Sequence, residues 1–307
     1  MATISAKDVM ELRKQTDCGM MECKKALTDA EGDFAKAVEL LREKGLATAS
    51  KKAGRVAAEG MVYATACSEC KVGVALEVNA ETDFVAKNDK FVDFVKKVAD
   101  VIIKENPADV EALMACKMGE GTVDDALKNL ILVIKENIKV RRFTRYEGVC
   151  AAYIHAGGTH AVLVNFDTTD EVAAKPEFAA YGKDIAMQIA AANPTYVCRE
   201  EVPADVLDKE KEILLAQMAN DPKTANKPEA VKEKMILGKV GKFYKENCLV
   251  DQAFVKDDKQ SVAQHTAQVA KELGGEIKIV KFVRYEKGEG LEKRVDDFAS
   301  EVAGMVK

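Results

Sequence analysis

The spacing of hydrophobic residues changes along the chain and predicts where helices and strands lie. In residues 1–46 the apolar positions recur every three or four residues in short runs, which is typical of amphipathic helices. Ser5-Ala6-Lys7-Asp8 fits an N-terminal cap of the first helix, and Gly45 is predicted to end the third. Such short helices form only a small core. We therefore expect a docking module of three helices, followed by a linker at residues 47–58.

The rest of the chain contains an internal repeat of strands and helices. Several residue pairs recur 87 positions apart: Thr82-Asp83 with Thr169-Asp170, Val85-Ala86 with Val172-Ala173, and Asn106-Pro107 with Asn193-Pro194. Each copy predicts a strand, a turn, a second strand, a junction, a helix and a further strand. The sequence therefore predicts an α+β fold whose duplicated core, with antiparallel sheets, covers residues 59–146 and 147–286.

The second copy is longer because it contains a helical insertion. Arg145-Tyr146-Glu147 recurs as Arg284-Tyr285-Glu286, an offset of 139 residues, which leaves 52 inserted residues after Pro194. Two helical patterns follow Pro203 and Pro228, and a Pro/Asn break separates them. They predict an antiparallel helical hairpin at about residues 200–250. Residues 287–307 have the pattern of an amphipathic helix and predict a C-terminal helical module.

Composition and charge narrow the class of protein. Hydrophobic residues make up 48% of the chain and charged residues 32%, as in soluble globular proteins. The net charge of −5, with both signs interspersed, argues against direct binding to nucleic acid, which requires concentrated Lys and Arg. The sequence has neither an apolar run near the ~20 residues that span a bilayer nor an apolar signal core. We therefore expect a cytoplasmic protein without membrane contact.

The cysteines provide the main alternative chemistry. Cys67 and Cys70 form a CxxC motif between two strand-like runs, whereas a redox CxxC requires a helix N-terminus that lowers a thiol pKa. A zinc site would need two further ligands, and the chain has only three histidines. A hairpin turn explains the motif, and a thiol-based redox enzyme is kept as an alternative. The sequence shows no phosphate-binding, dinucleotide or zinc-protease motif, so we expect no catalytic residue, cofactor or metal.

The junction NAETDFVAKNDKF raises a question about Phe84. Thr82 or Asp83 is predicted to cap the following helix, since both copies keep Thr-Asp. The second copy has Glu171 where the first has Phe84, and a glutamate suits the first turn of a helix. The position is therefore expected to be exposed. Phe84 then either packs on the N-terminal module or inserts into a partner, where burial of a Phe is worth ~1.5–3 kcal/mol.

Four stretches together resemble the elongation factor Ts family of guanine-nucleotide exchange factors. They are ELRKQTDCGMMECKKAL, KKAGRVAAEG, LEVNAETDFVAKN and FVRYEKGEGLEKR, and they occur in the family's order over essentially the whole chain. The resemblance implies that the N-terminal module is UBA-like and that the inserted hairpin is a coiled coil. It implies that the chain binds translation elongation factor Tu and promotes the release of its GDP. A passive protein-interaction scaffold is a further alternative.

The resemblance also implies which residues contact elongation factor Tu. In this family the Asp-Phe of the junction inserts between two helices of the partner's G domain and disturbs its magnesium site and phosphate loop. The matching residues here are Thr82, Asp83, Phe84 and Val85. Further G-domain contacts match Arg13, Met20 and Met21 in the N-terminal module, and contacts of the core and hairpin match His155, Gly157 and Met235. The core is expected to reach the partner's distal domain, and a dimer of heterodimers is left open.

Overall fold

The computed structural model describes residues 4–16, 18–224 and 227–292. Its N-terminal module consists of α1 (Ala6–Thr16), α2 (Met20–Asp29) and α3 (Phe34–Lys52). The predicted cap of α1 is confirmed, because the Ser5 hydroxyl oxygen accepts from the backbone N–H of Asp8 at 3.2 Å and Asp8 Oδ2 accepts from the backbone N–H of Ser5 at 3.0 Å. The helices enclose a small core that includes Leu12 and Leu27.

The prediction that Gly45 ends the third helix is wrong. Helix α3 continues to Lys52, so the first part of the expected linker is helical. Gly45 is buried, and a Cβ atom there would lie 3.4 Å from the carbonyl oxygen of Lys128 in the first core unit. The glycine thus permits close packing of the module on the core, a tertiary requirement that the local sequence does not reveal.

The first core unit is built around an antiparallel sheet with strand order β1-β2-β5. Along the chain, its elements are β1 (Glu59–Cys67), β2 (Val72–Ala80), a 3-10 helix (Val85–Lys87), α4 (Asp89–Glu105), α5 (Val110–Ala115), β3 (Lys117–Met118), β4 (Gly121–Thr122), α6 (Val123–Ile134) and β5 (Lys139–Glu147). The predicted strand–turn–strand–junction–helix–strand order is confirmed. The short β3–β4 hairpin and α6 were not predicted from the sequence.

The second core unit repeats this plan around a sheet with order β10-β7-β6. Its elements are β6 (Val149–His155), β7 (His160–Thr168), α7 (Asp170–Ala173), α8 (Pro176–Ala192), a 3-10 helix (Arg199–Glu201), α9 (Ala204–Asn220), α10 (Glu229–Asn247), a 3-10 helix (Leu249–Asp251), β8 (Ala253–Phe254), β9 (Asp257–Ser261), α11 (Val262–Leu273) and β10 (Ile277–Glu286). Helices α9 and α10 contact each other and form the predicted hairpin.

Matching backbone details confirm the duplication. Helices α4 and α8 both end at an asparagine in the left-handed conformation, Asn106 (φ 48°) and Asn193 (φ 44°), which stops each helix before a proline. Helices α6 and α11 both begin with a capping box and lie 139 residues apart, the offset seen between the last strands. The α+β fold class is therefore confirmed, whereas the residue bounds of the domains stay a prediction.

The two sheets pack face to face, and each carries its helices on the outer face. Small residues permit the close approach, since a Cβ atom on Gly73 would lie 2.5 Å from Leu163 Cδ1. The backbone N–H of Val62 also donates to the carbonyl oxygen of Gly158 at 2.9 Å, which links β1 to the β6–β7 turn. The core thus has helix, sheet, sheet and helix layers.

Most of the predicted C-terminal helical module, residues 293–307, lies outside the described residues. Within the ranges that are described, none of the helices has both the length and the apolar character needed to cross a membrane.

Candidate functional site

The junction after β2 is not the helix start that the sequence predicts. The Thr82 side chain caps no helix: its hydroxyl donates to Glu136 Oε1 at 2.7 Å, and its backbone N–H donates to Oε2 of the same carboxylate at 3.0 Å. The prediction that Thr82 or Asp83 caps the helix is therefore wrong. Asn88 caps α4 instead, accepting from the backbone N–H of Lys90 at 3.0 Å.

A second carboxylate joins the same two segments. Glu81 Oε1 accepts from the backbone N–H of Asn137 at 2.6 Å, and Oε2 lies 3.5 Å from Arg55 Nη1. Asn137 in turn donates through its side chain to the carbonyl oxygen of Arg55 at 2.7 Å. We call Glu81, Thr82, Glu136 and Asn137 the junction clamp. It ties the chain after β2 to the chain before β5 through charge-assisted hydrogen bonds, which are the stronger kind.

Phe84 projects from this clamped junction. Its side chain is 78% exposed, whereas the next residue, Val85, is buried in the core of the first unit. Exposure of this extent excludes packing on the N-terminal module. The counterpart Glu171 is also exposed, in the first turn of α7, as predicted. The junction therefore presents a large apolar side chain to solvent between Thr82, which Glu136 binds, and Val85, which is buried. This arrangement is suited to an interface anchor.

Asp83 lies beside Phe84 and is exposed as well. Its carboxylate stands 3.8 Å from the Lys87 ammonium, one turn further along. An exposed pair at this distance is weak, so Asp83 can exchange Lys87 for another cationic or hydrogen-bonding group at little cost. Asp83 and Phe84 thus form an acidic and apolar pair at one projecting point.

The N-terminal module presents a second apolar surface. Met20 and Met21 open α2 and are 50% and 76% exposed. Arg13 is exposed on the neighbouring helix α1. Met10, also on α1, is 63% exposed, and the sequence analysis missed it. Its place one turn before Arg13 in the helical pattern could have identified it.

The remaining predicted residues lie on other elements. His155 ends β6, where its Nδ1 lies 3.0 Å from the Tyr153 hydroxyl, and Gly157 (φ 67°) lies in the β6–β7 turn that follows. Both residues are exposed. Met235 is half-buried on α10, where its sulfur accepts from Lys227 Nζ at 3.8 Å. The structure thus brings Thr82–Val85 together as one site and leaves the other candidates on α1, α2, the β6–β7 turn and the hairpin.

The CxxC motif lies in a turn, as predicted. Cys67 ends β1, and the backbone N–H of Cys70 donates to Cys67 Sγ at 3.1 Å. A hydrogen bond with Cys67 raises the pKa of the Cys70 thiol, which disfavours the reactive thiolate. The cysteines within the described ranges are all free. Those ranges also hold no group of three or more His, Cys, Asp or Glu side chains that could bind a metal ion.

Two clefts of comparable size lie elsewhere. One of about 550 Å³ separates the N-terminal module from the first unit and is lined by Thr16, Met118 and Asn129, among others. Another of about 530 Å³ lies between the two units, with Cys150 and Phe178 in its wall. Thr82–Val85 line neither of these two clefts.

Comparisons with known proteins point to one family, and the relatives align with almost the whole chain. A family model described as "Elongation factor TS" matches residues 81–289. The chain is 51% identical to the elongation factor Ts of Symbiobacterium thermophilum over 307 residues, covering 98% of both chains. It is 48% identical to that of Clostridium perfringens over 306 residues, covering 98% of this chain and 99% of the relative. It is also 48% identical to that of Trichlorobacter lovleyi over 308 residues, covering 98% and 97%.

Proposed function

Since the chain belongs to the elongation factor Ts family of translation elongation factors, we propose that it is a guanine-nucleotide exchange factor. It binds elongation factor Tu and promotes the release of GDP. The observation that carries the proposal is Phe84, which is 78% exposed at a junction held by a carboxylate clamp. A large aromatic side chain held at a projecting point is suited to burial in a partner's surface, where such residues act as interface anchors.

Thermodynamic linkage explains how binding becomes exchange. A factor that binds nucleotide-free elongation factor Tu more tightly than the GDP-bound form weakens GDP binding by the same ratio. Burying Phe84 only in the nucleotide-free complex would supply ~1.5–3 kcal/mol. At about 1.4 kcal/mol per factor of ten, this one side chain can weaken GDP binding by roughly ten- to a hundredfold. No chemical bond is made or broken, so the protein is not an enzyme in the usual sense.

Asp83 and Phe84 act as a pair in this proposal. Phe84 inserts between two helices of the partner's G domain, and Asp83 brings a negative charge with it. The magnesium ion of elongation factor Tu holds the nucleotide phosphates by charge, and displacing its ligands weakens that hold. GDP then leaves, GTP binds, and the factor dissociates.

Other surfaces supply affinity. Arg13, Met20 and Met21 form a second contact with the G domain, which suits adaptable methionine side chains on an exposed face. The β6–β7 turn, with His155 and Gly157, contacts the distal domain of elongation factor Tu, and Met235 marks a contact of the hairpin. These contacts anchor the factor, so they should control how tightly it binds more than how fast GDP leaves.

The test is the rate of fluorescent GDP release from elongation factor Tu. We expect Phe84→Ala to slow stimulated release at least tenfold without unfolding the protein, since the side chain is exposed. Glu171→Ala is the matched control, because it changes the equivalent exposed position of the second unit, and we expect wild-type release. Equal rates for Phe84→Ala and wild type would reject the anchor role.

The same assay separates the alternatives. A passive scaffold would bind elongation factor Tu without accelerating GDP release at any concentration. A thiol-based function would require Cys67 and Cys70, so a normal release rate in the variant with both changed to Ser rules it out as the basis of exchange.

A further inference from the structure

The duplicated core supplies its own reference for the junction. Helices α6 and α11 are equivalent and both end at a residue in the left-handed conformation, Lys135 (φ 66°) and Gly274 (φ 69°). The residues that follow are therefore equivalent too: Glu136 in the first unit and Gly275 in the second. They face the two copies of the shared threonine, Thr82 and Thr169.

In the second unit, the glycine leaves the threonine available for capping. A Cβ atom on Gly275 would lie 2.6 Å from Val172 Cγ2 and 4.0 Å from Thr169 Oγ1. The Val172 side chain therefore occupies the space that a side chain at position 275 would need. The Thr169 hydroxyl accepts from the backbone N–H of Val172 at 3.3 Å, and α7 begins at once with Asp170. Glu171 is thus part of a helical turn.

In the first unit, a glutamate occupies the equivalent position and binds the threonine. Both Glu136 oxygens are used, one by the Thr82 hydroxyl and one by its backbone N–H. The segment forms only a short 3-10 turn, Val85–Lys87, in place of α7, and α4 then begins at Asp89, which is equivalent to the start of α8 at Pro176. Phe84 stands before this turn rather than within an α-helix.

We propose that Glu136 is a positioning residue, which keeps the Thr82–Val85 segment out of the helical form of the second unit and presents Phe84 to the partner. This inference rests on the proposed exchange function. Thr82 is fixed on one side by Glu136, and Val85 is fixed on the other by burial. The intervening Asp83 and Phe84 therefore have little freedom to lose when they bind. Such preorganisation lowers the cost of ordering a binding loop.

The other half of the junction clamp makes the role of Glu136 separable from folding. Glu81 still bonds the backbone N–H of Asn137 when Glu136 is replaced, so the segment stays attached close to its place. Loss of Glu136 should therefore loosen the presentation of Phe84 without detaching the junction. Because the other contacts hold the factor on its partner, the fraction of bound factor that presents Phe84 correctly sets the plateau rate of GDP release.

The experiment uses full-length Glu136→Ala and Glu136→Gln with elongation factor Tu carrying fluorescent GDP. Release rates over a range of factor concentration give a plateau rate and a half-saturating concentration. We expect Glu136→Ala to lower the plateau about three- to tenfold and to move the half-saturating concentration less than twofold, because the other contacts persist. Glu136→Gln keeps one acceptor oxygen and should fall between Glu136→Ala and wild type.

Thr169→Val is the matched control, since it removes the equivalent hydroxyl from the second unit. We expect both kinetic parameters of this variant to stay within twofold of wild type. Phe84→Ala, measured alongside, tests the proposed function itself.

The outcomes are distinguishable. If Phe84→Ala is slow but Glu136→Ala reaches the wild-type plateau, the positioning role is wrong and the proposed function stands. If both variants match wild type, the proposed anchor role of Phe84 is wrong, and the positioning role of Glu136, which depends on it, is wrong as well. If Glu136→Ala melts at a clearly lower temperature and only its half-saturating concentration rises, the residue is merely structural, which also overturns the inference.

Discussion

In the second unit of the core, Thr169 caps the one-turn helix α7, whereas in the first unit its counterpart Thr82 is bound by Glu136 and the equivalent segment forms only a 3-10 turn that starts at Val85. Val85 and its counterpart Val172 are both buried in their cores, so the two segments are held at equivalent points. On the proposed role of Glu136, one side chain on a neighbouring segment decides whether the same dipeptide caps a helix or supports a projecting loop. Because the core is duplicated, one copy keeps the threonine as a helix cap while the other uses it to hold a projecting loop.

The strands differ in a similar way at a second position. Glu77 on β2 pairs with Arg142, and Asn165 on β7 pairs with Lys281, which lies 139 residues after Arg142, so the two positions are equivalent. Both side chains are buried. Glu77 accepts from Arg142 Nε at 2.6 Å, from Arg141 Nη1 at 3.1 Å and from the backbone N–H of Gly288 at 2.8 Å. Asn165 instead donates to two backbone carbonyl oxygens at 2.9 and 3.2 Å. In the first unit, a buried carboxylate thus binds the chain after β10. In the second unit, a neutral amide binds the chain at the start of β6.

The largest expected effect comes from breaking that buried charge. Glu77→Ala removes the fully buried acceptor of two guanidinium groups, although Arg142 keeps an ion pair with Glu289 at 3.0 Å. Loss of one partner of a buried ion pair typically costs about 3–5 kcal/mol of unfolding free energy. Asn165→Ala removes a donor from two carbonyl groups and should cost about 1–3 kcal/mol. Chemical denaturation of both variants beside wild type measures the difference. A smaller loss for Glu77→Ala than for Asn165→Ala would contradict the assigned network.

An intermediate loss of stability is expected from a substitution at Gly275, which packs against Val172 in the second unit. Gly275→Ala places a Cβ atom 2.6 Å from Val172 Cγ2, so Val172 or the backbone must move. Overpacking of this kind costs about 1–3 kcal/mol. The backbone of Gly275 lies outside the left-handed region, so the effect isolates the contact. Denaturation midpoints of Gly275→Ala and wild type give the measurement.

Gly54→Ala is the control for this substitution, because an added Cβ atom there meets nothing within 4 Å. We expect no loss of stability for Gly54→Ala. If Gly275→Ala is equally harmless, the second unit tolerates a side chain at this position, and glycine is not what lets Val172 close in.

These comparisons show which features the sequence could predict. The order of strands and helices and the hairpin insertion follow from hydrophobic spacing and from the repeat, both of which are local or periodic signals. The expected exposure at Phe84 followed from Glu171 in the same way. Gly45 and Thr82 were misassigned because their partners, Lys128 and Glu136, are distant in the chain. The wrong cap at Thr82 was in principle avoidable, since a comparison of Glu136 with Gly275 at the 139-residue offset would have exposed the difference.

The smallest expected effect concerns the capping boxes that begin α6 and α11. Thr122 and Asp125 form the first box, in which Asp125 Oδ2 accepts from the Thr122 hydroxyl at 2.8 Å. Ser261 and Gln264 form the second, in which Gln264 Oε1 accepts from the Ser261 backbone N–H at 2.8 Å. The two boxes share their geometry and differ in charge. Hydrogen bonds from the Thr122 backbone and side chain lower the pKa of the Asp125 carboxyl.

Because folding lowers the pKa of the Asp125 carboxyl, the stability that this carboxyl contributes depends on pH. A carboxyl whose pKa is lower in the folded than in the unfolded chain adds stability above its unfolded pKa and loses that contribution as the pH falls through its folded pKa. At pH 7 we therefore expect Asp125→Asn to be less stable than wild type by no more than about 1 kcal/mol, the usual size of a capping contact. The gap should close in acid, below the ordinary pKa of an aspartate.

The neutral box provides the reciprocal measurement. Gln264→Glu should give α11 the pH dependence that Asp125→Asn removes from α6, because the new carboxylate accepts from the same backbone N–H and adds a negative charge to the first turn of the helix. Denaturation of each variant and of wild type at pH 7 and at about pH 3 gives the difference in unfolding free energy at each pH. The other carboxylates titrate in the same way in variant and wild type, so their contribution cancels in that difference. If the Asp125→Asn gap is the same at both pH values, the first box contributes through its shape alone, and charge does not distinguish the two units at these helix starts.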